Sequence, residues 1–258
     1  TIDYNDPLDP TKRFRQEQCK VYWQGTSSLE YPVKNYTIEL MSGGNAWEYA
    51  PKDDWLPEKR YTLKACFMDS SAANNVGSSK LVYDYFRKMN MFYPQEIKNP
   101  KTRSTVDGFP VKLFINGESM GLYMFNIDRY AENNYGFIGE QSIVSYEIGV
   151  NSVSGAGAFA DDSWASIRSE FEYRYHYAGD ESVVCESITV DGKPTTVLRS
   201  GYHSELQNLV SWVKNSTIEE FRSELDEHFD LNFLIDYYLW VIVLGLVDNL
   251  GGQYSCRV

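Results

Sequence analysis

The sequence predicts an α+β fold with a β-rich first part and a helical last part. The segments 20–23 and 35–40 are rich in β-branched and aromatic residues, which favours strands. The last part carries an apolar stripe at helical spacing, formed by Leu206, Leu209, Val210 and Val213. Residues 141–200 mix both signals. A β-rich segment followed by a helix-rich one predicts two lobes with a cleft between them.

Further elements follow within the first part. Tyr61 to Phe67 is predicted as a strand, and the apolar residues between Leu81 and Met89 recur at helical spacing. Ser78 and Ser79 are the candidate caps of that helix. An Asn116-Gly117 dipeptide then separates two β-like runs, Phe109–Ile115 and Gly121–Ile127, which predicts a hairpin because both turn residues tolerate positive φ.

In the second half, short strands are predicted at 142–148, 171–177 and 195–198. Thr217 and Glu220 form a capping box at the start of a helix, since each side chain satisfies a backbone amide of the other residue. Asp230 caps a further helix that is predicted to reach about Val247. Because Asp236 lies beside its apolar run, a buried core helix is expected.

The composition restricts the partners. The 258 residues include 24 Lys and Arg against 36 Asp and Glu, a net charge of −12. Non-specific binding to nucleic acid or anionic membranes needs a positive field, so neither partner is expected. The longest apolar run, Leu239–Val247, is too short to span a bilayer, so no transmembrane segment is expected.

A small-residue turn followed by a lysine is the first candidate site. Gly25, Ser27 and Ser28 offer backbone amides and hydroxyls, and Lys34 offers a point charge, which suits phosphate binding. The alternative is a hairpin turn with a solvated lysine.

Two further groups could carry chemistry. Asp248 follows an apolar helix and precedes a glycine-containing loop, with Asn249 and Gln253 nearby, so it is a candidate general base. The alternative is a helix C-terminal turn. Asp69 and Asn75 follow a predicted strand, where the alternative is a helix cap.

Four of these segments, in order, resemble the CotH kinase family. The family's glycine-serine turn and K-[SN]-Y strand match Gly25–Ser28 and Lys34-Asn35-Tyr36. Its aromatic-x-D-x-S segment with a later Asn matches Phe67–Ser71 and Asn75. Its N-G-x-x-x-G-x-Y hairpin matches Asn116 to Tyr123, and its V-D-N segment matches Val247-Asp248-Asn249.

The resemblance implies a two-lobed, protein-kinase-like fold that binds ATP with Mg²⁺ and phosphorylates Ser or Thr of a secreted or coat protein. Lys34 would contact nucleotide phosphates and the turn from Gly25 to Ser28 would cover them. Asp248 would orient the acceptor hydroxyl, and Gln253 would lie at a metal-ligand position. The implied lobes are about 15–140 and 201–258, with 141–200 as an insertion.

The chain also departs from the family pattern. Gln253 stands where many members have Asn. Asn126-Ile127 stands where many have an acidic residue, with Asp128 one residue further on. The family's second metal-binding Asp is expected beyond Val258. The middle segment resembles variants from phage tails and cell surfaces, so the alternative function is a non-catalytic structural or adhesive module of a virion or cell surface. The setting implied is extracellular, a spore surface or a virion.

Overall fold

The predicted α+β class is confirmed. The computed structural model describes residues 1–25, 27–69, 71, 74–89, 99, 101–103, 105–136, 144–148, 155–176, 184–190, 193–199, 201–245 and 254–257. The chain forms two compact units, Thr1–Ile138 and Gly139–Val258. Each unit has its own hydrophobic core.

The strands of the described residues are β1 (Ile2–Tyr4), β2 (Phe14–Gln16), β3 (Gln18–Gln24), β4 (Asn35–Ser42), β5 (Asn45–Ala46), β6 (Arg60–Lys64), β7 (Gly108–Ile115), β8 (Glu118–Ile127), β9 (Val144–Ile148), β10 (Phe171–His176), β11 (Cys185–Val190), β12 (Lys193–Leu198) and β13 (Tyr254–Arg257). The α-helices of the same described residues are α1 (Asn74–Met89), α2 (Glu132–Tyr135), α3 (Trp164–Glu170), α4 (Ser204–Asn215), α5 (Ile218–His228) and α6 (Leu231–Leu244). Short 3₁₀ turns cover Pro10–Lys12, Ser27–Glu30 and Gly155–Phe159.

An antiparallel sheet dominates the first unit. Its strands lie in the order β3-β4-β6-β8-β7. The two-residue strand β5 pairs with the C-terminal end of β4. Helix α1 connects the third strand of this order, β6, to the edge strand β7. After β6 the chain therefore passes through α1 to the edge strand β7, and the next strand, β8, lies between β6 and β7.

The two faces of this sheet differ in chemistry. Because side chains alternate along a strand, one face is apolar, with a buried aromatic and aliphatic cluster that includes Ile38, Leu40, Tyr61, Leu63, Tyr123, Phe125 and Ile127. The residues between them lie on the opposite face, which is polar and includes Thr37, Thr62, Lys64 and Asn126. The cluster forms the hydrophobic core of the unit, and the polar side chains lie on the opposite face.

The hairpin predicted at Asn116-Gly117 is confirmed. Strands β7 and β8 pair on either side of it, and φ is +52° at Asn116 and +86° at Gly117. A positive φ at both turn positions gives the twist that a two-residue hairpin needs.

A buried glutamate links the first unit's loops. Glu58 is 4% exposed, and its Oε1 accepts hydrogen bonds from Asn134 N (2.8 Å) and Asn134 Nδ2 (3.0 Å). Burial raises the pKa of Glu58 from 4.5 to about 7, against the lowering effect of these hydrogen bonds. Between pH 4.5 and about pH 7, the Glu58 carboxyl therefore keeps its proton in the folded chain, whereas it has lost it in the unfolded chain.

Glu58→Gln is expected to change how stability depends on pH. The free energy of unfolding of the wild type should lose about 3 kcal/mol between roughly pH 4 and pH 8, because ionising the buried carboxyl is costly. Gln keeps the Oε1 acceptor and cannot ionise, so the variant should gain that amount relative to the wild type as pH rises. Urea unfolding across this range measures it, with exposed Glu118→Gln as the control. A wild-type-to-variant difference that is constant with pH would contradict the assignment.

The second unit packs strands and helices around one core. Strands β10, β9 and β13 form an antiparallel sheet, and β11 and β12 form a separate hairpin. The core combines residues of β9, β11 and β12 with α3 and α4, among them Val144, Tyr146, Ile167, Leu198, Leu206 and Val210. The strands predicted at 142–148, 171–177 and 195–198 are confirmed in their described parts, whereas α3 and β11 were not predicted.

Two helices of this unit, α5 and α6, begin at the predicted caps. Thr217 and Glu220 form the capping box of α5, and Asp230 accepts a hydrogen bond from Phe233 N at the start of α6. Helix α6 ends earlier than predicted, because Gly245 adopts the left-handed conformation with φ +62°. No helix within the described ranges is both long and apolar enough to cross a membrane.

The expectation that α6 is a buried core helix is wrong. Several of its large apolar side chains are more than half exposed, namely Ile235, Tyr238, Leu239, Ile242 and Val243, while Val241 is buried. An apolar run alone cannot distinguish a buried helix from one with an uncovered face, since both have high hydropathy.

Candidate nucleotide site

The loop between β3 and β4 and the end of β6 lie at the same edge of the sheet. Gln24 pairs with Asn35 across β3 and β4, and Tyr36 pairs with Leu63 across β4 and β6. Asn35 Oδ1 accepts a hydrogen bond from Ala65 N at 2.8 Å, directly after β6. The end of the loop at Asn35 is therefore fixed beside Lys64, the last residue of β6, and its start after Gln24 lies one strand further along the sheet.

The predicted phosphate-binding turn has a tightly packed start. Gly25 has φ +127°, and a Cβ at this position would lie 1.9 Å from Ser28 Oγ. Ser27 and Ser28 begin the 3₁₀ turn, and Asn35 Nδ2 lies 3.5 Å from Ser28 Oγ. The structure therefore brings together Gly25, Ser27 and Ser28, as the sequence predicted from their proximity along the chain.

Gly25→Ala is expected to destabilise the first unit by about 1–3 kcal/mol. An alanine would hold a strained backbone conformation, and its Cβ would displace the Ser28 hydroxyl. Gly43→Ala is the matched control, since φ is also positive there but nothing lies within 4 Å of an added Cβ. Denaturant unfolding compares the two variants. Equal losses would show that contact with Ser28 adds nothing.

Lys34 is held by its own loop. Its Nζ donates hydrogen bonds to the carbonyl oxygens of Leu29 and Tyr31, both at 2.6 Å, and lies 5.6 Å from the centroid of the Trp23 ring. A phosphate would have to compete with these carbonyls for the ammonium group. Phosphate contact by Lys34 therefore stays a prediction, and the geometry shows a second role, which is to fix the shape of the loop.

Lys64 is a lysine that sequence reasoning missed. It lies half-buried on the polar face of the sheet, and no hydrogen bond or ion pair joins its ammonium to another described residue. Burial lowers its pKa below the ordinary value, while the nearby Asp128 carboxylate acts in the opposite direction. Such a cation is predisposed to bind an anion, because a bound negative charge offsets the cost of its desolvation.

Asp128 is buried in an ion pair. Its Oδ2 lies 3.3 Å from Arg60 Nε, and its Oδ1 accepts a hydrogen bond from Tyr130 N at 2.9 Å. The Arg60 guanidinium also lies over the Tyr130 ring, 4.6 Å from its centroid. Asp128, singled out as a candidate site residue, therefore joins the ends of β6 and β8.

Asp69 and Asn75 lie at the start of helix α1. Asp69 Oδ2 accepts a hydrogen bond from Asn74 N at 2.8 Å, and Oδ1 accepts one from Ser71 N at 3.0 Å. Asn75 is exposed in the first turn. The predicted caps Ser78 and Ser79 are wrong, since the helix begins four residues before Ser78 and Asp69 accepts the hydrogen bond of its first amide, Asn74 N.

The other predicted site residues, Asp248, Asn249 and Gln253, lie outside the described residues. Within the described part of the chain, no three His, Cys, Asp or Glu side chains are grouped so that they could hold a metal ion. The candidate site that the structure describes therefore consists of the loop from Gly25 to Lys34 and the polar face of the sheet beside Lys64.

Comparison with known proteins agrees with the resemblance found in the sequence. A search of curated proteins returns no match. The family model described as "CotH kinase protein" matches residues 21–256, which is most of the chain. This match includes the loop, β6, the hairpin and the Asp248 segment. The chain therefore belongs to the CotH kinase family.

Proposed function

We propose that the chain binds ATP with Mg²⁺ and transfers the γ-phosphoryl group to Ser or Thr of a protein substrate. The observation that carries this proposal is Lys64. Protein kinases contact the nucleotide phosphates with a lysine on the third strand of their sheet, beneath a glycine-containing loop. Lys64 ends the third strand of this sheet, next to the loop that begins at Gly25. A two-lobed, kinase-like arrangement is part of the same proposal.

Lys64, the loop and Asp248 would have different roles in phosphoryl transfer. Lys64 would neutralise phosphate charge, and backbone amides of the loop from Gly25 to Ser28 would face the phosphates. Asp248, in the second unit, would accept the proton of the substrate hydroxyl as the γ-phosphoryl group moves to the hydroxyl oxygen. The net charge of −12 favours a protein substrate over nucleic acid.

Magnesium is part of the proposal because membership of the family implies it. The described residues offer no metal-ligand group, and the ligand predicted from the sequence, Gln253, lies outside them. The bound ion would offset the charge of the phosphates. The described geometry supports phosphate contact by Lys64 and by the loop that begins at Gly25.

A radiolabel assay tests the proposal. The chain is incubated with Mg²⁺, γ-labelled ATP and casein, which is rich in Ser and Thr, and acid hydrolysis identifies the labelled residue. Label on phosphoserine or phosphothreonine is expected. ATP binding without any transfer to casein or to the chain itself would favour the second candidate.

One observation favours that second candidate, a non-catalytic structural or adhesive module. Active protein kinases pair the phosphate-contacting lysine with a Glu of the following helix. Helix α1 contains no Glu, and its acidic residue, Asp84, is exposed. Lys64 makes no ion pair with another described residue. A fold in which Lys64 has no glutamate partner on α1 is better suited to binding a nucleotide than to rapid catalysis.

A further inference from the structure

The sheet of the first unit has two edge strands, and only one of them has a protected outer edge. Strands β3 and β7 lie at the two ends of the strand order. Strand β7 contains Pro110, which lacks an N–H group, and its pairing with β8 shifts register between Leu113 and Phe114. Prolines and bulges are devices by which natural sheets prevent an edge from pairing with another chain. The β7 edge is therefore protected.

Strand β3 has neither device. It extends over seven residues, Gln18–Gln24, and pairs with β4 without a shift in register. Among the described strands β4 is its sole partner, so the backbone N–H and C=O groups of its outer edge meet no other described strand. Its one charged residue, Lys20, has its Nζ 3.6 Å from Glu39 Oε2 of β4. A long strand with an unprotected edge is a template for an added strand.

Apolar side chains are open to solvent along the same strand. Val21, Tyr22 and Trp23 are 53%, 41% and 63% exposed. Val21 and Trp23 pair with Ile38 and Tyr36, so they lie on the face of the sheet that carries the aromatic core. Tyr22 lies on the opposite, polar face, because side chains alternate along a strand. An added strand would therefore meet apolar side chains beside the backbone of β3.

Two contacts hold the aromatic side chains of this edge in place. Tyr22 Oη donates a hydrogen bond to Glu39 Oε1 at 2.8 Å. Lys34 Nζ lies 5.6 Å from the centroid of the Trp23 ring. Side chains that are already fixed lose less conformational freedom when a partner binds. The edge of β3 is therefore organised for binding before a partner arrives.

An extended polypeptide matches this edge better than a second copy of the chain does. A polypeptide in β conformation offers N–H and C=O groups at the spacing of the strand, and every second side chain lies on the same face as Val21 and Trp23. Two copies would each bring a net charge of −12, and like charges repel. Gly25 directly follows β3, so a segment paired along β3 has one end beside the loop that is proposed to face the phosphates.

We propose that the outer edge of β3 binds an extended segment of the protein substrate as an additional β-strand, with apolar residues at every second position. This inference rests on the proposed function, because it names how the substrate of that function docks. Cross-strand contacts with Val21 and Trp23 would select the apolar residues. The backbone hydrogen bonds would accept many different residues between them. A Ser or Thr at the end of this segment would lie beside the loop that begins at Gly25.

A synthetic heptapeptide in which Thr alternates with Val, matched to the seven residues of β3, tests the docking. Fluorescence anisotropy of the labelled peptide measures its binding to the chain without nucleotide. Val21→Lys should weaken this binding about 10-fold or more, because a lysine on an edge strand opposes the pairing of an added strand. Phe114→Lys is the matched control, since Phe114 is 58% exposed on the protected strand β7, and it should bind as the wild type does. The melting temperature shows that both variants are folded.

N-methylated peptides provide a second measurement that needs no variant of the chain. In an added strand, alternate residues direct their N–H groups to the neighbouring strand. Methylating the Val amides in one peptide and the Thr amides in another should therefore abolish binding of one peptide and preserve binding of the other. Equal affinities of the two methylated peptides, or unchanged affinity of a folded Val21→Lys chain, would overturn the proposal.

Transfer of label from ATP separates the docking from the proposed function. In Val21→Lys, the KM for the peptide should rise while kcat stays unchanged. Peptide binding that depends on β3, without transfer to any substrate, would contradict the proposed function, while peptide binding at β3 would stand. Transfer to casein by a chain that does not bind the peptide would overturn the docking alone. A wild-type dimer that Val21→Lys dissociates, seen by sedimentation, would identify a second copy as the occupant and overturn the proposal.

Discussion

Asp248→Asn is expected to lower phosphoryl transfer by about 10²- to 10⁴-fold and to leave ATP affinity within about twofold of the wild type. The amide cannot accept the proton of the substrate hydroxyl, and a positioned general base contributes a factor of this size. Because Asn has nearly the same shape as Asp, the substitution should leave any other contacts of the side chain at position 248 in place. Single-turnover transfer of label to casein measures the rate, and calorimetry measures the affinity.

Asp226→Asn is the matched control for this substitution. Asp226 is exposed on α5, in the same unit, so its loss of charge should leave both quantities unchanged. A parallel fall of transfer in the two variants would point to overall charge rather than to a base. Full transfer in Asp248→Asn would contradict the role that the family resemblance implies.

Lys64→Met is expected to weaken Mg·ATP binding about 10-fold or more and to lower phosphoryl transfer by about 10²- to 10³-fold. A hydrogen bond to a charged group contributes about 1.5–3 kcal/mol to binding, and removing a donor aimed at developing charge costs about 2.7–4 kcal/mol in the transition state. Equilibrium titration and single-turnover transfer separate the two effects.

The stability of Lys64→Met provides an independent check. Because burial lowers the pKa of Lys64, the charged side chain is disfavoured in the folded chain, and Met should melt at the same temperature or higher. Lys112→Met, an exposed lysine of β7, controls for the loss of one charge on the sheet. Lys34→Met tests the lysine that the sequence favoured, and it should act mainly through loss of loop structure. A larger loss of affinity in a folded Lys34→Met than in Lys64→Met would reverse the assignment.

Local patterns predicted the parts of the fold that depend on local chemistry. The Asn116-Gly117 turn, the Thr217 capping box and the Asp230 cap are confirmed, because each signal lies in two to four adjacent residues. The start of α1 was wrong because the capping group, Asp69, lies five residues before the helix. Sequence spacing favoured the nearer Ser78 and Ser79.

The candidate site depended on long-range order and was predicted only in part. Gly25, Ser27 and Ser28 are adjacent in the sequence, so their turn was evident. A single lysine at the end of an apolar strand carries no local signal, and only the strand order shows that Lys64 ends the third strand beside that turn. The polar face that carries Thr37, Thr62 and Asn126 joins three strands that are distant in the sequence, and it becomes visible only through their register.

Calorimetric titration of the wild-type chain with ATP, with Mg²⁺ and again with EDTA, tests the central claim most directly. One site per chain is expected with Mg²⁺. Much weaker binding is expected without it, because 36 acidic against 24 basic residues repel a metal-free triphosphate. Loss of the Mg·ATP site in Lys64→Met, with Lys112→Met unaffected, would support the account. Absence of Mg·ATP binding to the folded wild-type chain, or equal binding to Lys64→Met, would contradict it.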